Sequence, residues 1–145
     1  VKVFTKKISY VGVKPLIVDG SIRENLLYGN SKKILDNEIL EKVELFKLFN
    51  EQKKVDLDQE INNQTLSSGQ FQKIAYIRAI LADAKLLVLD ESMSNLDEES
   101  KMLILDILSQ LKVTIINSTH NLSDINYDQR IKIKVNDYKR ILVIE

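Results

Sequence analysis

Cysteine is absent from this chain, which excludes a disulfide framework and a thiolate metal site and suits a reducing compartment, most simply the cytosol. Glycine is scarce. The four present are Gly12, Gly20, Gly29 and Gly69, so no G-x-x-x-x-G-K-[ST] loop of the kind that cradles phosphates occurs anywhere. Net charge is lacking too: 21 basic residues balance 21 acidic ones, and an isoelectric point near 6.8 gives no electrostatic case for nucleic acid or anionic lipid as the main partner. Apolar runs such as Ile80-Leu81-Ala82 and Leu86 to Leu89 fall far short of the roughly 20 residues a membrane-spanning helix requires. No internal repeat or low-complexity tract is present. The opening Val1-Lys2-Val3-Phe4 has neither an initiator methionine nor a signal-peptide pattern, and the chain is expected to lack an N-terminal part.

What remains is ample for a core: 145 residues, 44% hydrophobic and 29% charged, fit one soluble α/β domain or most of one. Ile8-Ser9-Tyr10-Val11 is a short β-prone run ended by Gly12 and Pro15, and Asp19-Gly20-Ser21 is a turn leading into a helix at Ile22 to Tyr28. Behind Asp36 as N-cap, Ile39, Leu40, Val43, Phe46 and Leu48 or Phe49 recur near a 3.6 period and predict an amphipathic helix. The polar stretch Asn50 to Thr65 reads as an exposed connection.

The second half alternates more regularly. A helix is expected from Ser67 to about Ala82, a buried strand from Lys85 to Asp90, a helix from Asp97 to Leu111, and a buried strand from Val113 to Ser118. Strand, helix, strand at this spacing implies parallel pairing. The crossover helix should cover the sheet with Met102, Leu105 and Leu108, flanked by Leu103, Ile107 and Leu111. Ile131 to Val135 and Arg140 to Ile144, separated by Asn136-Asp137, read as a β-hairpin.

Three places carry chemistry. Ser67 and Gln70 are spaced as a capping box, and Gly69 between them allows close backbone approach. A helix start of this kind offers free amides and a positive dipole end to an anion such as a terminal phosphate. S-x-x-Q by itself marks only an ordinary capped helix. Asp90 and Glu91 end an apolar strand, where a parallel sheet presents its carboxyl edge to ligands, although a strand ending in a polar turn is also common. The single histidine, His120, follows the run Ile115 to Thr119, and a lone histidine is by default a surface or satisfied residue. Asp97, with Ser94 before it, can be read as an N-cap whatever the function.

Taken in order, Thr65-Leu66-Ser67-Ser68-Gly69-Gln70-Phe71-Gln72-Lys73-Ile74-Ala75, Leu86-Leu87-Val88-Leu89-Asp90-Glu91, Ser94-Asn95-Leu96-Asp97 and Thr119-His120 resemble the signature, Walker B, D-loop and switch histidine of an ABC transporter nucleotide-binding domain. Val18 to Gly29 resembles the exporter type more than the importer type, and the resemblance runs from Lys7 to roughly Arg140. It implies a P-loop NTPase-like fold, α/β with a mostly parallel sheet flanked by helices. An inserted helical subdomain is expected at about 22–80, carrying the signature, and the remainder of the core at about 81–145; the chain would be the C-terminal part of the domain.

By the same resemblance Glu91 is the base that orients the attacking water, His120 contacts the γ-phosphate, and Asp90 holds Mg²⁺ through water. Ser67, Ser68, Gly69 and Gln70 would bind the partner subunit's ATP, with Ser94 and Asp97 in the D-loop. Two departures stand out. Ser68 replaces the family's first glycine, and Val13 occupies the Q-loop position, where valine has no oxygen to offer a metal. The implied function is an ATPase that powers an exporter at the cytoplasmic face of the cell membrane, with ATP and Mg²⁺ as ligands. Its partners would be a second nucleotide-binding domain and the transmembrane domains, with no nucleic acid, and the isolated chain is expected to be inactive. A degenerate, non-catalytic domain that supplies its signature helix in trans is the alternative. A C-terminal lobe of a DNA-repair or chromosome-maintenance ABC ATPase is a third reading, opposed by the exporter-like segment and the neutral charge.

Overall fold

The runs on either side of the crossover helix lie side by side in the computed structural model, which describes residues 8–30, 55–121, 127–136 and 139–144. In chain order its elements are β1 (Ile8–Val11), β2 (Gly20–Ser21), α1 (Ile22–Leu27), β3 (Glu60–Ile61), α2 (Ser68–Leu81), β4 (Leu86–Asp90), α3 (Glu98–Gln110), β5 (Thr114–Ser118), β6 (Ile131–Asn136) and β7 (Lys139–Ile144). Strands β1, β4 and β5 form a parallel sheet in the order β1-β4-β5, with Val11 opposite Leu89 and Asp90 opposite Ser118. This is the parallel sheet flanked by helices that the family resemblance implies. The expected hairpin is present as β6 paired antiparallel with β7, Ile131 opposite Ile144.

Side chains alternate along these strands, so one face of the sheet is buried and the other is not. Val11, Leu87 and Leu89 point into a core shared with Ile74, Ile77 and Leu81 of α2 and Ile104 and Leu108 of α3. Ile8, Tyr10 and Ile116 on the opposite face are exposed. The expectation of two fully buried strands is therefore corrected: β4 buries alternate residues, and β5, an edge of the described sheet, has no fully buried position.

The face of α3 also differs from expectation. Ile104 and Leu108, four residues apart, are its buried pair, while Met102 is 71% exposed. Apolar residues occupy nearly every position from Met102 to Leu108, so the period alone does not fix which stripe faces inward.

Residues 55–65 are more than a polar connection. Ile61, only 2% exposed, and Leu57 enter the core, β3 pairs with β2, and the Ile22 and Arg23 amides donate to the carbonyls of Gln59 and Leu57 at 3.0 and 2.8 Å. Two apolar side chains four apart suffice to dock a segment whose average composition is polar. The helix expected behind Asp36 lies outside the described residues.

Candidate functional site

Helix α2 begins as its sequence dictates. Ser67 is the N-cap: the Gln70 amide donates to Ser67 Oγ at 3.2 Å, and the Ser67 amide donates to Gln70 Oε1 at 2.8 Å. The cap organises the first turn, and Ser67 and Ser68 are exposed. Gly69 faces inward against the turn after β4, where an added Cβ would stand 3.0 Å from the Asn95 carbonyl oxygen. A side chain there would push that turn.

The turn after β4 is tightly held. Glu91 adopts φ +48°, the left-handed region that costs an L-residue about 1–2 kcal/mol. Its amide donates to the Ser118 carbonyl at 2.8 Å, continuing the β4–β5 ladder by one bond. Its carbonyl accepts from the Ser94 amide at 3.3 Å and the Ser94 hydroxyl at 2.9 Å. Ser94 thus closes the turn. The carboxylate of Glu91 meets His120 at the end of β5, with Nε2 to Oε1 at 3.4 Å. A cavity of about 210 Å³ opens there, lined by Glu91, Ser94, Lys101, Asn117, Thr119 and His120.

Asp90 and Asp97 sit on either side of this turn. The Tyr10 hydroxyl donates to Asp90 Oδ2 at 3.1 Å, and that bond raises the tyrosine pKa above its usual value. Asp97 caps α3, accepting from the Ser100 amide at 2.8 Å and the Ser100 hydroxyl at 2.7 Å, with Lys73 Nζ 3.6 Å away. The Ser100 amide above all, then its hydroxyl and Lys73, hold the Asp97 carboxyl below the usual carboxylate value. The N-cap reading of Asp97 is borne out.

The structure brings together Glu91, His120 and Ser94 around one cavity. Ser67 to Gln70 do not line it; they reach the turn through Gly69 and Asn95. Val13 lies in the loop after β1, 43% exposed. Its neighbour Gly12 is tied down, since its carbonyl accepts from Nε2 of the buried Gln72 at 2.8 Å.

The ABC transporter family matches residues 1–94 of the chain. The chain belongs to that family. Among similar proteins are the lactococcin-A transport/processing ATP-binding protein LcnC of Lactococcus lactis, 41% identical over 86% of this chain and 18% of its own length, and the ATP-dependent permease MDL1 of Candida albicans, 35% identical over 88% of the chain and 20% of its own. The transport/processing ATP-binding protein ComA of Streptococcus pneumoniae is 34% identical over 84% and 18%. The chain spans about a fifth of the length of these relatives. No helix among the described residues is long and apolar enough to cross a membrane.

ABC domains bind ATP, commonly with magnesium. Magnesium takes oxygen ligands, with one or two protein carboxylates and the rest from phosphate and water. Among the described residues no three acidic, histidine or cysteine side chains cluster as a metal cage. Asp90, a single carboxylate at the sheet's carboxyl edge, fits the sparser magnesium pattern.

Sequence reasoning missed several residues that hold this ABC domain in shape. Ser21 and Glu24 form a second capping box at α1, a signal present as S-x-x-E. Buried Asn25 donates to the Val18 and Ser21 carbonyls, at 2.9 and 3.1 Å, and accepts from the Val18 amide at 3.0 Å. Arg78 donates from Nε to the Asn25 carbonyl at 2.7 Å and from Nη1 to the Leu16 carbonyl at 2.8 Å, with Tyr28 beneath its guanidinium at 5.5 Å. Burial lowers the Arg78 pKa. No short motif announces contacts so far apart in sequence.

Proposed function

We propose that this chain is part of the ATP-hydrolysing module of an exporter-type transporter at the cytoplasmic face of the membrane. Glu91 is the base that orients the attacking water, His120 meets the γ-phosphate, and Asp90 holds Mg²⁺ through water. The observation that carries this reading is the meeting of Glu91 and His120 at the ends of two adjacent parallel strands. A carboxylate there can accept a proton from water, and an imidazole beside it can donate a hydrogen bond to a phosphate oxygen. Magnesium, when bound, neutralises charge on the phosphate oxygens. The 3.4 Å separation exceeds an ordinary N–H···O bond and leaves both groups able to engage substrate.

Ser67, Ser68, Gly69 and Gln70 act on the nucleotide of a second nucleotide-binding domain, and Ser94 and Asp97 belong to the D-loop between the two sites. Two features support action in trans: the exposed, capped start of α2, and its separation from the cavity of Glu91 and His120. In this reading the helical subdomain is assigned to about 22–80 and the remaining core to about 81–145, with transmembrane domains as further partners. The relative named for lactococcin-A transport and processing favours a cargo of that kind.

A complementation experiment tests the arrangement. Full-length Glu91→Gln and Ser67→Arg variants are each expected to be inactive alone. Mixed dimers recover ATPase activity if each signature serves the other subunit's site, because one complete site is rebuilt. No recovery in mixed dimers would contradict action in trans.

Val13 favours a second reading, a non-hydrolytic domain that only lends its signature helix to a partner. The family's glutamine oxygen is missing at that position, and the exposed valine side chain cannot supply one.

A further inference from the structure

The left-handed backbone of Glu91 requires support on both sides, and hydrogen bonds to its own amide and carbonyl supply part of it. The next residue carries the rest. Ser92 is 1% exposed, and its hydroxyl shares a hydrogen bond of 2.5 Å with the hydroxyl of Tyr76, which is fully buried in α2. The contact joins the middle of the signature helix to the turn that bears Glu91.

We propose that Tyr76 is a positioning residue for ATP hydrolysis, its hydroxyl fixing Ser92 and through it the Glu91 carboxylate beside His120. The inference rests on the reading of Glu91 as the water-orienting base. A buried hydroxyl is costly without a partner, so the pair resists separation and holds the turn at one distance from the helix. An apolar pair would fill the same space without that directional constraint.

Helix α2 is a suitable anchor. One turn before Tyr76, Gln72 occupies the same side of the helix and grips the Gly12 carbonyl, while Lys73 faces Asp97 at 3.6 Å. The helix therefore reaches the loop after β1, the turn after β4 and the start of α3. Ser92 adjoins Glu91 in the chain, so displacement of one carries the other, and a misplacement of about 1 Å in a reacting group can cost on the order of 10²-fold in rate.

The test uses the full-length protein with Tyr76→Phe, Ser92→Ala, the double variant, and Glu91→Gln alongside. Tyr76→Phe should lower kcat for ATP on the order of 10-fold while KM stays unchanged, since Tyr76 is fully buried and does not line the cavity of Glu91 and His120. It should also lower the melting temperature, because the Ser92 hydroxyl loses this partner. The double variant removes both hydroxyls and should keep the lowered kcat, whatever its melting temperature. Recovery of kcat in the double variant would show that the pair only packs, and would overturn the proposal. Parental kcat in Tyr76→Phe, with Glu91→Gln collapsed, would overturn the positioning role alone. Parental turnover in Glu91→Gln would overturn the base assignment and this inference with it.

Discussion

His120 Nε2 stands 3.4 Å from Glu91 Oε1, yet the histidine side chain is 97% exposed and that of the glutamate only 26%. The pair is asymmetric: the acid is seated in the wall of the cavity and the imidazole projects from the rim. A residue so exposed contributes little to folding, so a role in chemistry can be separated from any role in stability.

His120→Ala in the full-length protein should lower ATP turnover on the order of 10²-fold. Surface substitutions change stability by roughly 0.5 kcal/mol or less, so the melting temperature should not move. Steady-state hydrolysis and thermal unfolding, measured on the same preparation, check this. A parental rate would remove His120 from the site, and a large fall in melting temperature would make it structural.

Asp97→Ala should fray the start of α3, because the cap holding the Ser100 amide is lost, at a typical cost of about 1 kcal/mol. The effect depends on pH. The Asp97 carboxyl is held below its ordinary value of 3.8, so its stabilising contribution is complete above that pH and is lost as pH falls through the lower folded value. Its side chain is well exposed, so solvent screening keeps the contribution small. Amide exchange over α3, taken as the ratio of variant to parent, should be raised at pH 7 and move towards one as pH falls below 3.8. A ratio independent of pH would show that the charged form of Asp97 does not hold the cap.

Arg78→Lys should loosen α1 despite keeping the charge. The guanidinium fork reaches the Asn25 and Leu16 carbonyls together, which a single ammonium does not reproduce. Hydrogen bonds from a charged group contribute about 1.5–3 kcal/mol, so amide exchange in α1 should quicken roughly 30-fold. Unchanged exchange would mean that Asn25 and the Ser21 cap hold the helix without Arg78.

Much of this was legible in the sequence because the signals were local. The Ser67–Gln70 and Asp97 caps, the parallel pairing of β4 with β5 and the terminal hairpin all follow from residues close together in the chain. The buried face of α3 was not, since Ile104 and Met102 are both apolar and only tertiary packing chooses between them. Leu57 and Ile61 were hidden in a polar stretch for the same reason. At the site, the residue types of Glu91 and His120 could be read, but their 3.4 Å approach depends on strand register. The Tyr76–Ser92 bond joins residues 16 positions apart that share no motif, and Gln72 to Gly12 spans 60.

The most direct measurement is ATP hydrolysis by full-length Glu91→Gln. The amide keeps the size of the side chain but cannot serve as the base, so nucleotide binding should persist, ATP-bound dimers should accumulate, and turnover should fall on the order of 10²-fold or more. Hydrolysis at the parental rate would contradict the assignment of Glu91 and favour the non-hydrolytic reading that Val13 suggests.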